Sequence, residues 1–262
     1  MMARLTKIIG IMALIMLLCN CKATATTSFT MAHGAIVRGD STRQQITLVF
    51  TGHEFADGAE HIRKILKKQK IKAAFFFTGA FYRNPTFIGN IENLIEDGHY
   101  LGAHSNDHLL YCDWDNRDSL LVTHQEFLND LKSNYKEMER YGITKKQGPY
   151  FLPPYEWYNG RIAEWTADQG LQLINMTHGT LSHADYTTPA MLNYRSSEVI
   201  YKSILDFENK NASGLNGFLL LMHVGTDASR EDKFHIRLEA LILELKSRKY
   251  NFVGLEEILA KD

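Results

Sequence analysis

The sequence predicts a single α/β domain built around a parallel sheet, and three observations carry that prediction. Strand-like and helix-like segments alternate from about residue 45 to residue 253. Two strand segments, residues 71–78 and 217–223, are almost wholly apolar, the pattern of a strand covered on both faces. Histidines and carboxylates fall where strands end, the side on which ligands gather in such sheets.

The N-terminal residues read as addressing rather than fold. Arg4 and Lys7 precede an apolar run over residues 8–18, so residues 1–21 are expected to be a signal peptide. The run is too short for a membrane-spanning helix. Cys19-Asn20-Cys21 follows it and resembles a bacterial lipobox, which would place a lipid anchor on Cys21 and the mature chain at the cell envelope. Residues 22–40, rich in Thr, Ala and Ser, are expected to be a tether, and 41–262 the folded domain. Of three cysteines only Cys112 lies in that domain, so an internal disulfide cannot help hold it. A net charge of −1 argues against a nucleic-acid partner.

Within the domain, Gln45-Ile46-Thr47-Leu48-Val49-Phe50-Thr51 is a strand by its β-branched and aromatic content. Asp57 then caps a helix carrying Ile62, Ile65 and Leu66 on one face. The apolar strand at 71–78 precedes a helix opened by Asn84-Pro85 and closed by Asp97-Gly98. Tyr100-Leu101-Gly102-Ala103 is the next strand. Helices are predicted over 119–141, 160–169, 196–206 and 233–246, and strands over 149–152, 171–176, 217–223 and 250–253.

The strand at 100–103 ends in His104-Ser105-Asn106-Asp107-His108. Two imidazoles four residues apart can reach one point from a tight loop, which suits a divalent metal such as zinc. His53, Glu54, Pro154-Tyr155 and His223 lie at other strand ends and extend the candidate site. Tyr155 and Trp157 are candidates for a wall that stacks on sugar faces, and Glu156, which follows the Pro-Pro-Tyr segment, reads as a surface residue with a cleft-facing place as the alternative. Cys112 and Trp114 sit just beyond the histidine pair, where either would help shape the same cleft.

This set of strand ends resembles the NodB-like polysaccharide deacetylases, of the carbohydrate esterase family four type. His104-Ser105-Asn106-Asp107-His108 matches that family's metal motif in full, Pro153-Pro154-Tyr155 matches part of its Arg-x-Pro-Tyr motif, and residues 219–223 match its acid-bearing strand. The resemblance implies a distorted (β/α)7 barrel that hydrolyses N- or O-linked acetyl groups on a cell-envelope or dietary glycan. It implies a divalent metal, zinc or a similar ion such as cobalt or nickel. It also implies that His223 is the general acid, oriented by Asp185, and that His104 and His108 are metal ligands. Two motifs depart from the family. Thr51-Gly52-His53-Glu54 stands where the family has Thr-Phe-Asp-Asp, putting His53 at the base position and Glu54 at the ligand position. Leu152 replaces the arginine that supports the Asp base. A chemical alternative makes His53 the third ligand and Glu54 the base. A functional alternative is a catalytically silent glycan-binding protein on the same fold.

Overall fold

A computed structural model describes residues 29–260, so the expected signal peptide, Cys21 and the first part of the expected tether lie outside the described residues. The rest of that tether is a correction. Strands β1 (Thr30–Ala32) and β2 (Ala35–Arg38) form an antiparallel hairpin about a turn at His33-Gly34, where both residues are left-handed, with φ of 44° and 86°. Ala35, Ile36 and Val37 are buried against the barrel, and Tyr158 donates its hydroxyl to the Ala32 carbonyl at 2.9 Å. The folded part therefore reaches back to Thr30, ahead of residue 41.

From there strand and helix alternate: β3 (Gln45–Gly52), α1 (Ala59–Gln69), β4 (Ala74–Phe77), α2 (Gly79–Arg83), α3 (Ile88–Glu96), β5 (Tyr100–Ala103), α4 (His124–Glu139) and β6 (Tyr150–Phe151). They continue with α5 (Gly160–Asp168), β7 (Gln172–Leu173), α6 (Ser197–Lys210), β8 (Phe218–His223), α7 (Leu238–Ser247), β9 (Asn251–Phe252) and α8 (Leu255–Ile258). Two expectations fail locally. Helix α4 starts at His124 rather than near 119, because Thr123 caps it reciprocally with Glu126 while Leu120 bridges back to Cys112. Asp57 does not cap α1; its carboxylate accepts the Thr226 N–H at 2.7 Å and pairs with Lys233 at 2.9 Å, tying down the loop after β8.

The sheet is parallel, in the order β7-β6-β5-β4-β3-β8, with β9 beside the start of β3. It curls until the chain after β7 meets β8. Thr177 makes that closure: its N–H donates to Leu219 O at 3.0 Å, and its hydroxyl accepts Leu219 N–H at 2.9 Å while donating to Val37 O at 2.6 Å. A curled sheet with helices outside gives two cores. Phe75 and Phe77 point outward to the helices, whereas Phe76 points inward among Val49, Leu152 and Leu221. All three phenylalanines are fully buried, which explains why the strand shows no polar alternation. Each contributes about 2–3 kcal/mol through apolar burial.

Strand register sets the site. Thr51 pairs with His223, Gly52 with Phe77, Phe77 with Ala103, and Ala103 with Phe151. The carboxyl ends of five strands thus form one rim, and the residues that follow them face a common cleft.

Candidate active site

The loop after β5 folds back on itself because Ser105 and His108 are left-handed, with φ of 70° and 56°. The rings of His104 and His108 meet edge to face, with centroids 5.1 Å apart. Helix α4 holds this loop from below. Asn134 accepts the His104 N–H at 2.9 Å, and Asp130 accepts the N–H groups of Asn106 and Asp107 at 3.0 and 3.1 Å and the Tyr111 hydroxyl at 2.9 Å. The Nδ1 of His104 lies 2.8 Å from the Leu152 carbonyl. A carbonyl can only accept, so Nδ1 carries the proton and Nε2 keeps its lone pair. Burial holds His104 down to about 3 and His108 to about 2, so both imidazoles are neutral, the form that binds metal.

His223, at the end of β8, is clamped by one carboxylate. Asp185 accepts the ring Nδ1–H at 2.6 Å and the backbone N–H at 2.9 Å. Burial alone would lower the His223 pKa, but the charge and hydrogen bond of Asp185, then the charge of Glu156, reverse that and raise it. The structure therefore brings together in one cleft two neutral imidazoles and a third whose protonated form a carboxylate favours.

His53 and Glu54 follow β3 directly. The His53 ring lies flat on His108, 4.7 Å between centroids and 10° between planes, and its Nδ1 is 3.1 Å from the Thr78 hydroxyl. Burial lowers its pKa. Glu54 turns outward; its side chain is 68% exposed and its carboxylate is 4.0 Å from His53 Nε2. Among the described residues, no three His, Cys, Asp or Glu side chains converge on a single point that would hold a metal ion. His104 suits a metal by tautomer and charge and His108 by charge, but neither Glu54 nor His53 completes a preformed shell with them.

The cleft has a volume of about 690 Å³ and is lined by the four histidines just described, by Glu54 and Tyr155, and by residues without an expected role. Tyr155 stands where expected, half-exposed, with its ring 4.4 Å from that of His108. Trp157 does not. Its indole N–H donates to Asp113 O at 3.0 Å, and the Arg117 guanidinium covers its face at 3.6 Å, so it is a scaffold residue away from the cleft lining. Trp114 takes the lining position instead, 53% exposed and edge-on to Tyr155. Cys112 is fully buried and does not line the cleft. Glu156, expected at the surface, lines the cleft, as does His183. The position of Glu156 after the Pro-Pro-Tyr segment offered the cleft as its alternative place, against the ordinary solvation of a carboxylate beside a turn, whereas nothing in residue spacing marked His183.

Comparisons with known proteins bear on this geometry. The polysaccharide deacetylase profile matches residues 38–174, more than half of the chain. The peptidoglycan-N-acetylglucosamine deacetylase PgdA of Listeria monocytogenes is 26% identical over 221 residues, which are 83% of this chain but 39% of that protein. The chain thus spans about two fifths of the length of that curated relative. The structure of Bacillus subtilis PdaA, a family four carbohydrate esterase, superposes with a TM-score of 0.66 at 22% identity, covering 87% of this chain and 85% of that one. A CE4 family pseudoenzyme from Bacillus anthracis superposes with a TM-score of 0.65 at 18% identity, covering 88% and 70%. These likenesses bear out the distorted (β/α)7 barrel. With a matching profile over the strands that carry His104, His108 and the Pro-Pro-Tyr segment, and the same barrel beneath them, this chain belongs to the polysaccharide deacetylase family.

Proposed function

We propose that this chain is a metal-dependent hydrolase that removes acetyl groups from an acetylated glycan of the cell envelope, with peptidoglycan as the favoured class. The observation that carries the proposal is the pairing of imidazole environments in one cleft: neutral His104 and His108, the first oriented by the Leu152 carbonyl, beside a His223 whose protonated form Asp185 favours. His104 and His108 would hold a divalent ion such as zinc, with His53 the preferred third donor because it lies against His108 while Glu54 faces solvent. Such an ion, once bound, polarises an acyl carbonyl and eases deprotonation of water. His223 gives a proton to the departing sugar nitrogen or oxygen, and Asp185 keeps its ring in position. Tyr155 and Trp114 supply exposed aromatic faces suited to a sugar ring. Export and lipid attachment at Cys21 would deliver the domain to its substrate.

A second reading is a glycan-binding protein without turnover. It is favoured by the absence, among the described residues, of a converged three-donor set, and by the replacement of the family's Asp base and arginine. Acetate release from acetylated chitin, peptidoglycan and xylan fragments, with zinc or cobalt added, separates the two. The hydrolase reading requires release by wild type and none by His108→Ala or His223→Ala. Calorimetric titration with zinc should show a site that His104→Ala and His108→Ala both abolish. A wild type that releases nothing yet is retarded in glycan affinity gels is a binder.

A further inference from the structure

The family's acidic base is missing from β3, and neither adjacent candidate replaces it well. His53 is the preferred third donor, and the Glu54 carboxylate faces solvent. Three acidic side chains line the cleft: Glu54, Glu156 and Asp227. Asp227 is exposed and accepts both the N–H and the hydroxyl of Ser229, at 2.8 and 2.6 Å. Glu156 alone is half-buried, and its carboxylate makes no hydrogen bond or ion pair among the described residues.

The backbone explains how Glu156 comes to face inward. Tyr155 and Glu156 are successive left-handed residues, with φ of 58° and 52°, a conformation that non-glycine residues seldom adopt twice running. The reversed peptide is anchored at both ends: Glu156 N–H donates to Pro153 O at 3.2 Å, and buried Asn175 donates its Nδ2–H to Glu156 O at 2.8 Å. Strain of this kind persists only where surrounding contacts impose it, and it concentrates at functional sites. The turn leaves Glu156 lining the same cleft as His223, close enough for its charge to act on His223. Thr51, register partner of His223 and occupant of a strand-end position beside the lost base, has a buried hydroxyl with no protein partner in this same cleft.

We infer that Glu156 is the general base of this hydrolase, replacing from the β6 loop the carboxylate absent from β3. The inference rests on the hydrolase reading above. In the step it performs, the Glu156 carboxylate takes one proton from water as the water oxygen bonds to the acetyl carbonyl carbon. The tetrahedral adduct then collapses, the carbon–nitrogen or carbon–oxygen bond breaks, and its electron pair leaves on the sugar heteroatom, which takes the proton of the His223 imidazolium. Acetic acid, which releases its proton to solvent as acetate, and a free amine or hydroxyl result. The proton on Glu156 passes to neutral His223 directly or through solvent, restoring both groups without any redox change. Burial, the largest influence, pushes the Glu156 carboxyl up to about 7, which matches a base working at neutral pH.

Glu156→Gln is the test, read as kcat, KM and pH profile for acetate release. The expected result is a kcat lower by roughly 10²–10⁴-fold with KM little changed. The wild-type activity should rise with pH through about 7, and Glu156→Gln should lose that limb. A purely structural Glu156 would leave the limb in place. Glu156→Gly guards against misfolding, because glycine suits the left-handed turn; it should melt no lower than wild type and remain inactive. An active wild type with kcat preserved in Glu156→Gln or Glu156→Gly, or with the limb unmoved, overturns the base alone. A wild type that releases no acetate defeats the hydrolase reading and the base with it.

Discussion

Replacing Asp185 by Asn isolates the device that favours protonated His223. The Asp185 side chain is 4% exposed and gives both its oxygens to one residue, at 2.6 Å to the ring and 2.9 Å to the backbone N–H. Asparagine keeps the shape and removes the charge, so the loss is that of a charge-assisted hydrogen bond, about 1.5–3 kcal/mol. For a chain of this size that is a melting shift of roughly 3–12 °C. The pH dependence follows from direction. In the wild type the folded-state pKa of His223 lies above its ordinary value of 6.5, so its stabilising contribution is complete below that value and fades as pH rises through the folded-state pKa. Without the Asp185 charge, burial dominates and lowers the same pKa, so the variant loses stability as pH falls. The gap between wild type and Asp185→Asn is therefore widest near pH 5.5 and narrows by pH 8.5. Denaturant melts at pH 5.5, 7 and 8.5 measure it directly. A gap that is flat across this range, or under about 0.5 kcal/mol at pH 5.5, would refute the ion-pair account.

Three further outcomes are expected. Trp114→Ala should raise KM for a glycan roughly 2–10-fold with kcat unchanged, as checked by steady-state kinetics, because it removes an exposed stacking face away from the reacting atoms. Asp130→Ala should cost about 2–3 kcal/mol in denaturant melts and weaken zinc binding in calorimetry, because three donors around the histidine loop lose their acceptor. Phe77→Ala should destabilise by about 3–5 kcal/mol, since the ring is fully buried and stacks 4.0 Å from that of Phe81.

Much of this site could be read from residue order because parallel strands deliver their ends to one rim. His104 and His108 announce themselves by spacing, and the all-apolar runs at β4 and β8 announce a doubly covered sheet. Asp185 and His223 lie 38 residues apart, and only the family resemblance linked them before the geometry did. Glu156 was ranked at the surface for a different reason: two left-handed residues turn it inward, and backbone handedness at non-glycine positions leaves no trace in composition. Trp157 was misplaced because Arg117, 40 residues earlier, covers its indole face, whereas Trp114 lines the cleft that it was expected to help shape. The β1–β2 hairpin was mistaken for a tether because Ala and Thr serve linkers and short strands alike. The start of α4 was legible in Thr123 and Glu126, but the apolar residues Leu120, Leu121 and Val122 extended the helical pattern past its cap.

The attachment of the histidine loop to α4 has a consequence for engineering. Five residues from His104 to His108 look like a portable cassette, but their conformation is written partly in Asn134 and Asp130, some thirty positions downstream. Transplanted into another barrel without a helix offering the same two acceptors, the five residues would lose the contacts that hold Ser105 and His108 in their left-handed turn. The transferable unit is the loop together with its helix, and a design that grafts one should carry both.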